Sequence, residues 1–422
     1  MTYSKNLKID MPIGAKKIIS TLNENGFEAF IVGGCVRDCI LGRAPEDWDI
    51  TTKALPNEVK SLFSHVIDTG IEHGTVTVLM DGGAFEVTTY RVDGKYSDGR
   101  HPDKVLFTPS LEEDLKRRDF TINAFAYNEE RGIIDLFNGL SDLENGIIRA
   151  VGEPDRRFDE DALRIMRAVR FSSQLSFKIE EETYDSILKH APNLQKISME
   201  RIRVEFEKTL MSKNPEFVNL YKELGLSSYI IRSKEICDKC FDKDSEKLYK
   251  RFDADEKLDL KYLRLAAFFK NLGEEEAKEI IRSLTYDNKT RDHVSKILKF
   301  KDKVILPDRM EIKISLFEMG DEDFDLVVKY KKALLDSEIK SGFERCAQAR
   351  DERNLEDIEE IAEDIRKKGE PYKLSMLDIT GKDLIAAGIP AGDEIGKKLL
   401  ELLYKTIKNP KLNEKEKLLE II

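Results

Sequence analysis

Apolar and polar positions change rhythm near residue 150 of this 422-residue chain. Before that point short apolar runs alternate with amphipathic stretches. After it, nearly every apolar position recurs at helical spacing, which predicts an all-α second part. Residues 13–25 gather Ile18, Ile19 and Leu22 on one side, predicting a helix that Gly26 stops. Residues 27–32 are almost continuously apolar, the pattern of a buried strand. Residues 75–81 and 84–91 alternate around Gly82-Gly83 and predict a hairpin, with a further strand over 133–137. Residues 111–118 predict a short helix with a basic end. Residues 92–102 are rich in Gly, Asp and Arg without periodicity and read as a mobile loop. The fold class expected is α+β.

The rest of the chain is organised around residues 156–171, RRFDEDALRIMRAVRF. Their spacing predicts one helix beginning near Asp159 as N-cap. Ala162, Ile165, Met166 and Val169 share one side. Arg157, Glu160, Arg164, Arg167 and Arg170 share the other, with Asp161 at its edge beside Arg164. That polar face combines two carboxylates with a file of guanidiniums and has no lysine. Planar guanidinium forks suit phosphates and base edges. A solvated, self-paired surface has the same periodicity, so spacing leaves both readings open.

Charged residues make up 36% and hydrophobic residues 41%, with a net charge of −11. That balance argues against broad coating of nucleic acid, but it allows a local basic groove. The length predicts two to four domains. Five cysteines provide no disulfide framework and point to a reducing cytoplasm, and Cys237-x-x-Cys240 lacks the second pair that zinc would need. No signal pattern opens the chain, and no apolar run approaches the ~18 residues of a membrane span.

Four segments carry candidate chemistry. The turn Gly33-Gly34-Cys35-Val36-Arg37-Asp38 follows the buried strand. Its glycines admit a ligand closely, and the helix after it can turn N–H groups towards an anion. It matches neither a P-loop nor a dinucleotide motif. In Pro45-Glu46-Asp47-Trp48-Asp49-Ile50, Asp47 and Asp49 share a face of extended chain. Paired hard oxygens suit Mg²⁺, with Glu86 as a candidate third carboxylate; a solvated acidic edge is the alternative. Lys116-Arg117-Arg118 either complements a helix dipole or clamps a triphosphate. Residues 198–205 read most simply as an intrahelical salt-bridged surface, and Gly388-Ile389-Pro390-Ala391-Gly392 as a helix–helix turn.

Taken in order, these segments resemble the class II tRNA nucleotidyltransferases and their poly(A) polymerase relatives, within the polymerase-β-like superfamily. The residues carrying the resemblance are Gly33 to Asp38 with Asp47-Trp48-Asp49, then Arg117-Arg118-Asp119-Phe120-Thr121-Ile122-Asn123-Ala124. They continue through Asp135 to Arg149, Glu160-Asp161-Ala162-Leu163-Arg164 and residues 198–207, covering about half of the chain. The resemblance implies a nucleotidyltransferase head over 1–150 with a small mixed or antiparallel sheet. An all-α neck (151–212), body (213–308) and tRNA-binding tail (309–422) would follow.

It also implies a reaction: transfer of CMP or AMP from CTP or ATP to the 3′ end of tRNA, with pyrophosphate released. Asp47 and Asp49 would hold two Mg²⁺ ions. Gly33, Gly34, Arg37 and Arg118 would line the triphosphate, and Asp119 would suit a ribose hydroxyl. Cytosine and adenine both pair an exocyclic amino donor with a ring-nitrogen acceptor, so Asp161 with Arg164 could read either base, with Arg167 and Arg170 continuing the face. The stretch from Asp93 to Pro102 looks intact, which favours full CCA addition or addition of the last A alone. A poly(A) polymerase and a catalytically silent RNA-binding protein are the alternatives. The oligomeric state is not legible.

Overall fold

Among the described residues up to Asp135 the strands are β1 (Ala29–Val32), β2 (Ile50–Thr52), β3 (Val66–Gly70), β4 (Thr75–Met80), β5 (Gly83–Thr89), β6 (Arg91–Asp93), β7 (Val105–Phe107), β8 (Phe125–Asn128) and β9 (Gly132–Asp135). The computed structural model describes residues 7–93, 105–252, 257–337 and 343–422. The stretch compared above from Asp93 to Pro102 therefore lies, beyond Asp93, outside the described residues. Seven strands form one sheet in the order β3-β4-β5-β2-β1-β8-β9, and β6 pairs with β7 separately. Within the large sheet β2 and β5 run parallel and the other neighbours antiparallel. The sheet is mixed, as expected. All four residues of β1 and of β8 are buried, which is why the β1 sequence is apolar without alternation.

Helices α1 (Ile13–Glu24), α2 (Gly34–Ile40), α3 (Pro56–Leu62), α4 (Leu111–Lys116) and α5 (Gly139–Asn145) attend this sheet. Helix α1 buries Ile18, Ile19 and Leu22 and gives way to Gly26 at φ +83°. Ser110 caps α4 by accepting from the Glu113 N–H at 3.4 Å. At the end of β9, the Asp135 carboxylate accepts from the N–H groups of Phe137, Gly139 and Leu140 at 3.3, 2.9 and 3.0 Å. It thereby satisfies donors that α5 leaves unpaired.

Residues 156–171 depart from the single helix expected. They fall in α6 (Pro154–Glu160) and α7 (Leu163–Leu175). Pro154 starts α6 before Asp159, its fixed φ being suited to a first helical position. Asp161 then leaves helical geometry at φ −143°, ψ 103°. Its Oδ1 accepts from the Leu163 N–H at 3.0 Å, a local side-chain bond that competes with helix and opens α7. The arginine file is also buried rather than solvated, with Arg157, Arg164 and Arg170 only 5%, 8% and 8% exposed. Helices α8 (Glu181–His190) and α9 (Met199–Leu210) cover it on the C-terminal side.

The chain divides into two compact units, Met1–Cys237 and Asp238–Ile422, a boundary inside the segment 213–308 that sequence alone assigned to one body domain. The second unit is helical in its described residues. Lysines close some of its helix ends: Lys296 Nζ donates to Met319 O at 2.9 Å, and Lys331 Nζ to Lys301 O at 2.6 Å. Leu384, Leu402, Leu403, Ile407 and Leu418 form the core of its last helices. The Cys237 thiol donates to Ile231 O at 2.9 Å, and both it and Cys240 are buried. No helix is long and apolar enough to cross a membrane among the described residues.

Gly139 tests how tightly this sheet is closed. A Cβ there would stand 2.4 Å from Thr121 O and 2.7 Å from the Phe125 ring, while Asp135 holds the backbone in place. Gly139→Ala is expected to cost about 1–3 kcal/mol through overpacking. In urea it should lower the midpoint at constant slope; an unchanged midpoint would show that the turn yields.

Candidate functional site

The Val32 N–H donates to Asp49 O at 2.9 Å, and this bond sets the Gly33-Gly34 turn beside the acidic segment. Asp47 and Asp49 lie in extended chain just ahead of β2, not within a strand. Both are exposed, and neither carboxylate has a hydrogen bond or ion pair among the described residues. Pairing of Ile50 with Val87 brings exposed Glu86 level with Asp49 one step earlier. Although solvent reaches Asp49, the protein packed around it raises its carboxyl above the usual range. Arg118 opposes that rise, and the charges of Glu86 and Asp47 add to it.

Adjacent hard-oxygen carboxylates that repel one another are a donor set that fits a divalent cation. Among the described residues no three His, Cys, Asp or Glu side chains converge as a ready metal site. Glu86 acts on Asp49 through its charge.

Gly33 is glycine for two reasons. Its φ is +80°, and a Cβ there would stand 2.7 Å from Arg118 Nη1. Gly34 has no such need, since its Cβ would meet Arg37 Nη2 at an ordinary 3.7 Å. Arg37 is itself held: Nε and Nη2 each donate to the Asp38 carboxylate at 2.9 Å, and Nη1 to Asn123 Oδ1 at 2.5 Å. Burial lowers the Arg118 pKa, with Asp114 opposing at 3.7 Å. Its Nε is buried with no hydrogen-bond partner among the described residues.

Asp119 is fully engaged. Its Oδ1 accepts from Phe120 N at 2.8 Å and Asn123 Nδ2 at 3.1 Å, and its Oδ2 from Arg167 Nε at 2.8 Å and Nη2 at 2.5 Å. Burial alone would raise its carboxyl, but Arg167 and Asn123 hold it far below the usual range. A carboxylate offers about four acceptor positions, so Asp119 keeps none for a ribose hydroxyl in this arrangement. Its visible work is to position Arg167.

Asp161 and Arg164 do not share one helix face as expected: Asp161 lies in the break between α6 and α7, and Arg164 lies in α7. Arg164 Nη1 donates to Glu160 Oε2 at 2.9 Å and Arg157 O at 3.2 Å, and Nη2 to Arg117 O at 2.9 Å. Asp161 Oδ2 accepts from Arg201 Nη2 at 2.9 Å. The cause is the helix break: Glu160 takes the position four residues before Arg164, while extended backbone swings Asp161 towards α9. Residues 198–205 are likewise not simply self-paired. Arg201 reaches Asp161, and Glu205 accepts from Arg170 Nε at 2.5 Å.

Phe171 is the member of this arginine cluster that sequence reasoning missed. The guanidiniums of Arg37, Arg167 and Arg170 lie 5.2, 5.2 and 4.0 Å from its ring centroid, and Phe120 meets it edge-on at 5.8 Å. Its flanking arginines were the available signal, but apolar periodicity absorbs a phenylalanine without remark. The turn at Gly388 lines a shallow cavity of about 380 Å³ with Glu394, Lys397, Lys398 and Glu401, in the other unit.

The chain matches family models for the poly(A) polymerase head domain over residues 29–149, the polymerase A RNA- and SrmB-binding site over 176–238, and tRNA nucleotidyltransferase domain 2 over 260–422. It is 44% identical over 312 residues to a CCA-adding enzyme of Lactobacillus helveticus, covering 74% of this chain and 76% of that one. It is 57% identical over 202 residues to the CCA-adding enzyme of Ligilactobacillus salivarius, covering 48% of this chain and 50% of that one. The crystal structure of the Bacillus stearothermophilus CCA-adding enzyme in complex with CTP superposes with a TM-score of 0.79 at 32% identity, covering 97% of each chain. With the head motifs, the neck arginines and the helical second unit all accounted for in order, the chain belongs to the CCA-adding enzyme family of nucleotidyltransferases.

Proposed function

We propose that this enzyme adds CMP, CMP and AMP in turn to the 3′ end of tRNA from CTP and ATP, releasing pyrophosphate and using no nucleic-acid template. The observation that carries the reading is the short turn 116–119. It bears Arg118 against the Gly33 turn, where its charge acts on Asp49, and it is gripped by the neck arginines Arg157, Arg164 and Arg167. Transfer of this kind depends on positioning and charge neutralisation more than on covalent chemistry.

Asp47 and Asp49 are the residues that would hold Mg²⁺. When bound, the ions supply charge neutralisation for the attacking 3′-hydroxyl and the leaving pyrophosphate. Glu86 adds negative charge beside them. The Gly33 turn, bare of a Cβ, lets phosphate oxygens approach the backbone, with Gly34 beginning the helix behind it. Arg118 and Arg37 bring positive charge to the same place. Arg167 and Arg170, stacked with Arg37 on Phe171, hold the wall between phosphates and base.

Base choice falls to Asp161 and Arg164. Arginine has five N–H donors, and the contacts of Arg164 leave one Nη2 N–H and the Nε N–H for a ring nitrogen. Asp161 Oδ2 has one partner, Arg201, and retains a lone pair for an exocyclic amino group. Groups fixed by other residues, with capacity left over, are what a protein template requires. Uracil or guanine would set carbonyl against carboxylate and N–H against guanidinium, costing about 1–3 kcal/mol per unsatisfied group. The neck (151–212) is assigned to base recognition and RNA binding and the tail (309–422) to the tRNA, and the cytoplasm is where this reading places the reaction.

The deciding assay is product length on tRNA ending at the discriminator base. CTP alone should add two residues, and CTP with ATP three. Addition of A to tRNA ending in CC, with no addition from CTP to tRNA ending at the discriminator base, would establish the A-only alternative, and no incorporation at all the silent RNA-binding one. Asp47→Ala should lose more than about a hundredfold in rate with either nucleotide, since even outer-shell partners of metal ligands are worth about 10–100-fold. Asp161→Ala should keep its Mg²⁺ dependence but accept UTP or GTP roughly tenfold more readily relative to CTP or ATP. Identical behaviour of the two variants would refute the division of roles.

A further inference from the structure

We propose that Asp114 is a positioning residue that couples base choice to triphosphate binding by fixing the turn 116–118. This deepens the assignment of Arg118 and Arg164 above and rests on it. Asp114 is fully buried in α4. Its carboxylate accepts from Thr51 Oγ1 on β2 at 3.1 Å, from the Arg91 N–H opening β6 at 3.4 Å, and from Arg117 Nε at 3.0 Å. Arg117 Nη2 stands 2.8 Å away and Arg118 Nη2 3.7 Å away. It thus joins the strand that follows Asp49, the first residue of β6 and the arginine turn. Burial pulls its carboxyl upward, yet Arg117 and Arg118 hold it below the usual range, so it keeps its charge.

The geometry of the turn explains why this matters. Helix α4 ends at Lys116, so the carbonyls that follow lack intrahelical partners. Lys116 O accepts from Arg157 Nη1 at 3.0 Å, and Arg117 O from Arg164 Nη2 at 2.9 Å. On the opposite side of the same turn, the Arg118 guanidinium lies against Gly33 and acts on Asp49. The carbonyls hold the arginine assigned to the base, while the side chains reach the groups assigned to the phosphates. The buried negative charge of Asp114 faces two adjacent, mutually repelling guanidiniums and draws both inward, with Asp49 and Asp119 also acting on Arg118. If the turn rotates, both recognition elements move together.

The test is Asp114→Asn, which preserves shape and removes charge. Steady-state kinetics would be measured with CTP, ATP and UTP on tRNA lacking its CCA end. KM for CTP and for ATP should rise about tenfold, and the preference for CTP over UTP should fall by a similar factor. A role confined to stability would reduce the folded fraction and hence apparent kcat, leaving KM and preference in place. A folded Asp114→Asn with unchanged KM and preference overturns the coupling. Failure of the unaltered chain to incorporate CTP or ATP overturns the functional assignment instead. Should Asp114→Asn not fold, Arg117→Gln breaks the same ion pair from its partner side and is read the same way: raised KM with lowered preference supports the coupling, and unchanged values refute it.

Discussion

A guanidinium buried in protein must find a carboxylate or a carbonyl, and this requirement recurs through the Met1–Cys237 unit. Arg118 faces Asp114, Arg167 faces Asp119, Arg164 faces Glu160, Arg170 faces Glu205 and Arg201 faces Asp161. Each pair joins segments that the sheet or the helices alone would leave independent, apart from Arg164–Glu160 and Arg118–Asp114, which tie local turns. Buried pairs of this kind add little net stability because desolvation offsets attraction. Their worth lies in registry: removing one partner strands the other, so alternative packings of α6, α7 and α9 against the head are disfavoured.

Local features were legible in the sequence because local physics decides them. The helix ending at Gly26, the unbroken apolar β1, the hairpin at Gly82-Gly83 and the mixed α+β class all follow from spacing and turn chemistry over a few residues. The helix break at Asp161 was not legible. One extended residue barely disturbs an apolar stripe, and the cause is a side-chain bond to the Leu163 N–H together with a partner forty residues on. The partner assignments were equally hidden. Nothing in residues 198–205 says that Arg201 and Glu205 will look outward to other segments when an i, i+4 neighbour is at hand, as Arg203 and Glu207 show at 3.9 Å. Phe171 is a third kind of miss, a residue whose apolar appearance conceals a platform for three cations.

Against this background of matched charges, Asp47 and Asp49 stand apart. Elsewhere in the unit, buried acidic groups such as Asp114, Asp119 and Glu205 are met by arginine. The two aspartates are left side by side, with Glu86 adding to their repulsion and Arg118 acting on Asp49 without a direct bond. A protein that had only to fold would relieve that repulsion with a lysine or a hydrogen-bond donor. Leaving it in place keeps lone pairs available, as the proposed Mg²⁺ role would require of a cation that arrives with its substrate.

The same logic separates the two kinds of recognition. Metal and phosphate need charge left uncompensated, whereas a base edge needs donors and acceptors held at fixed angles. In the proposed reading Asp161 and Arg164 would meet the second need, since they are bound to Arg201, Glu160 and backbone carbonyls while keeping unused valences. Pairing the two directly would have consumed those valences in each other. The helix break that departs from the simple periodic expectation turns Asp161 away from Arg164, and it leaves each with the valences that the proposed base reading would use.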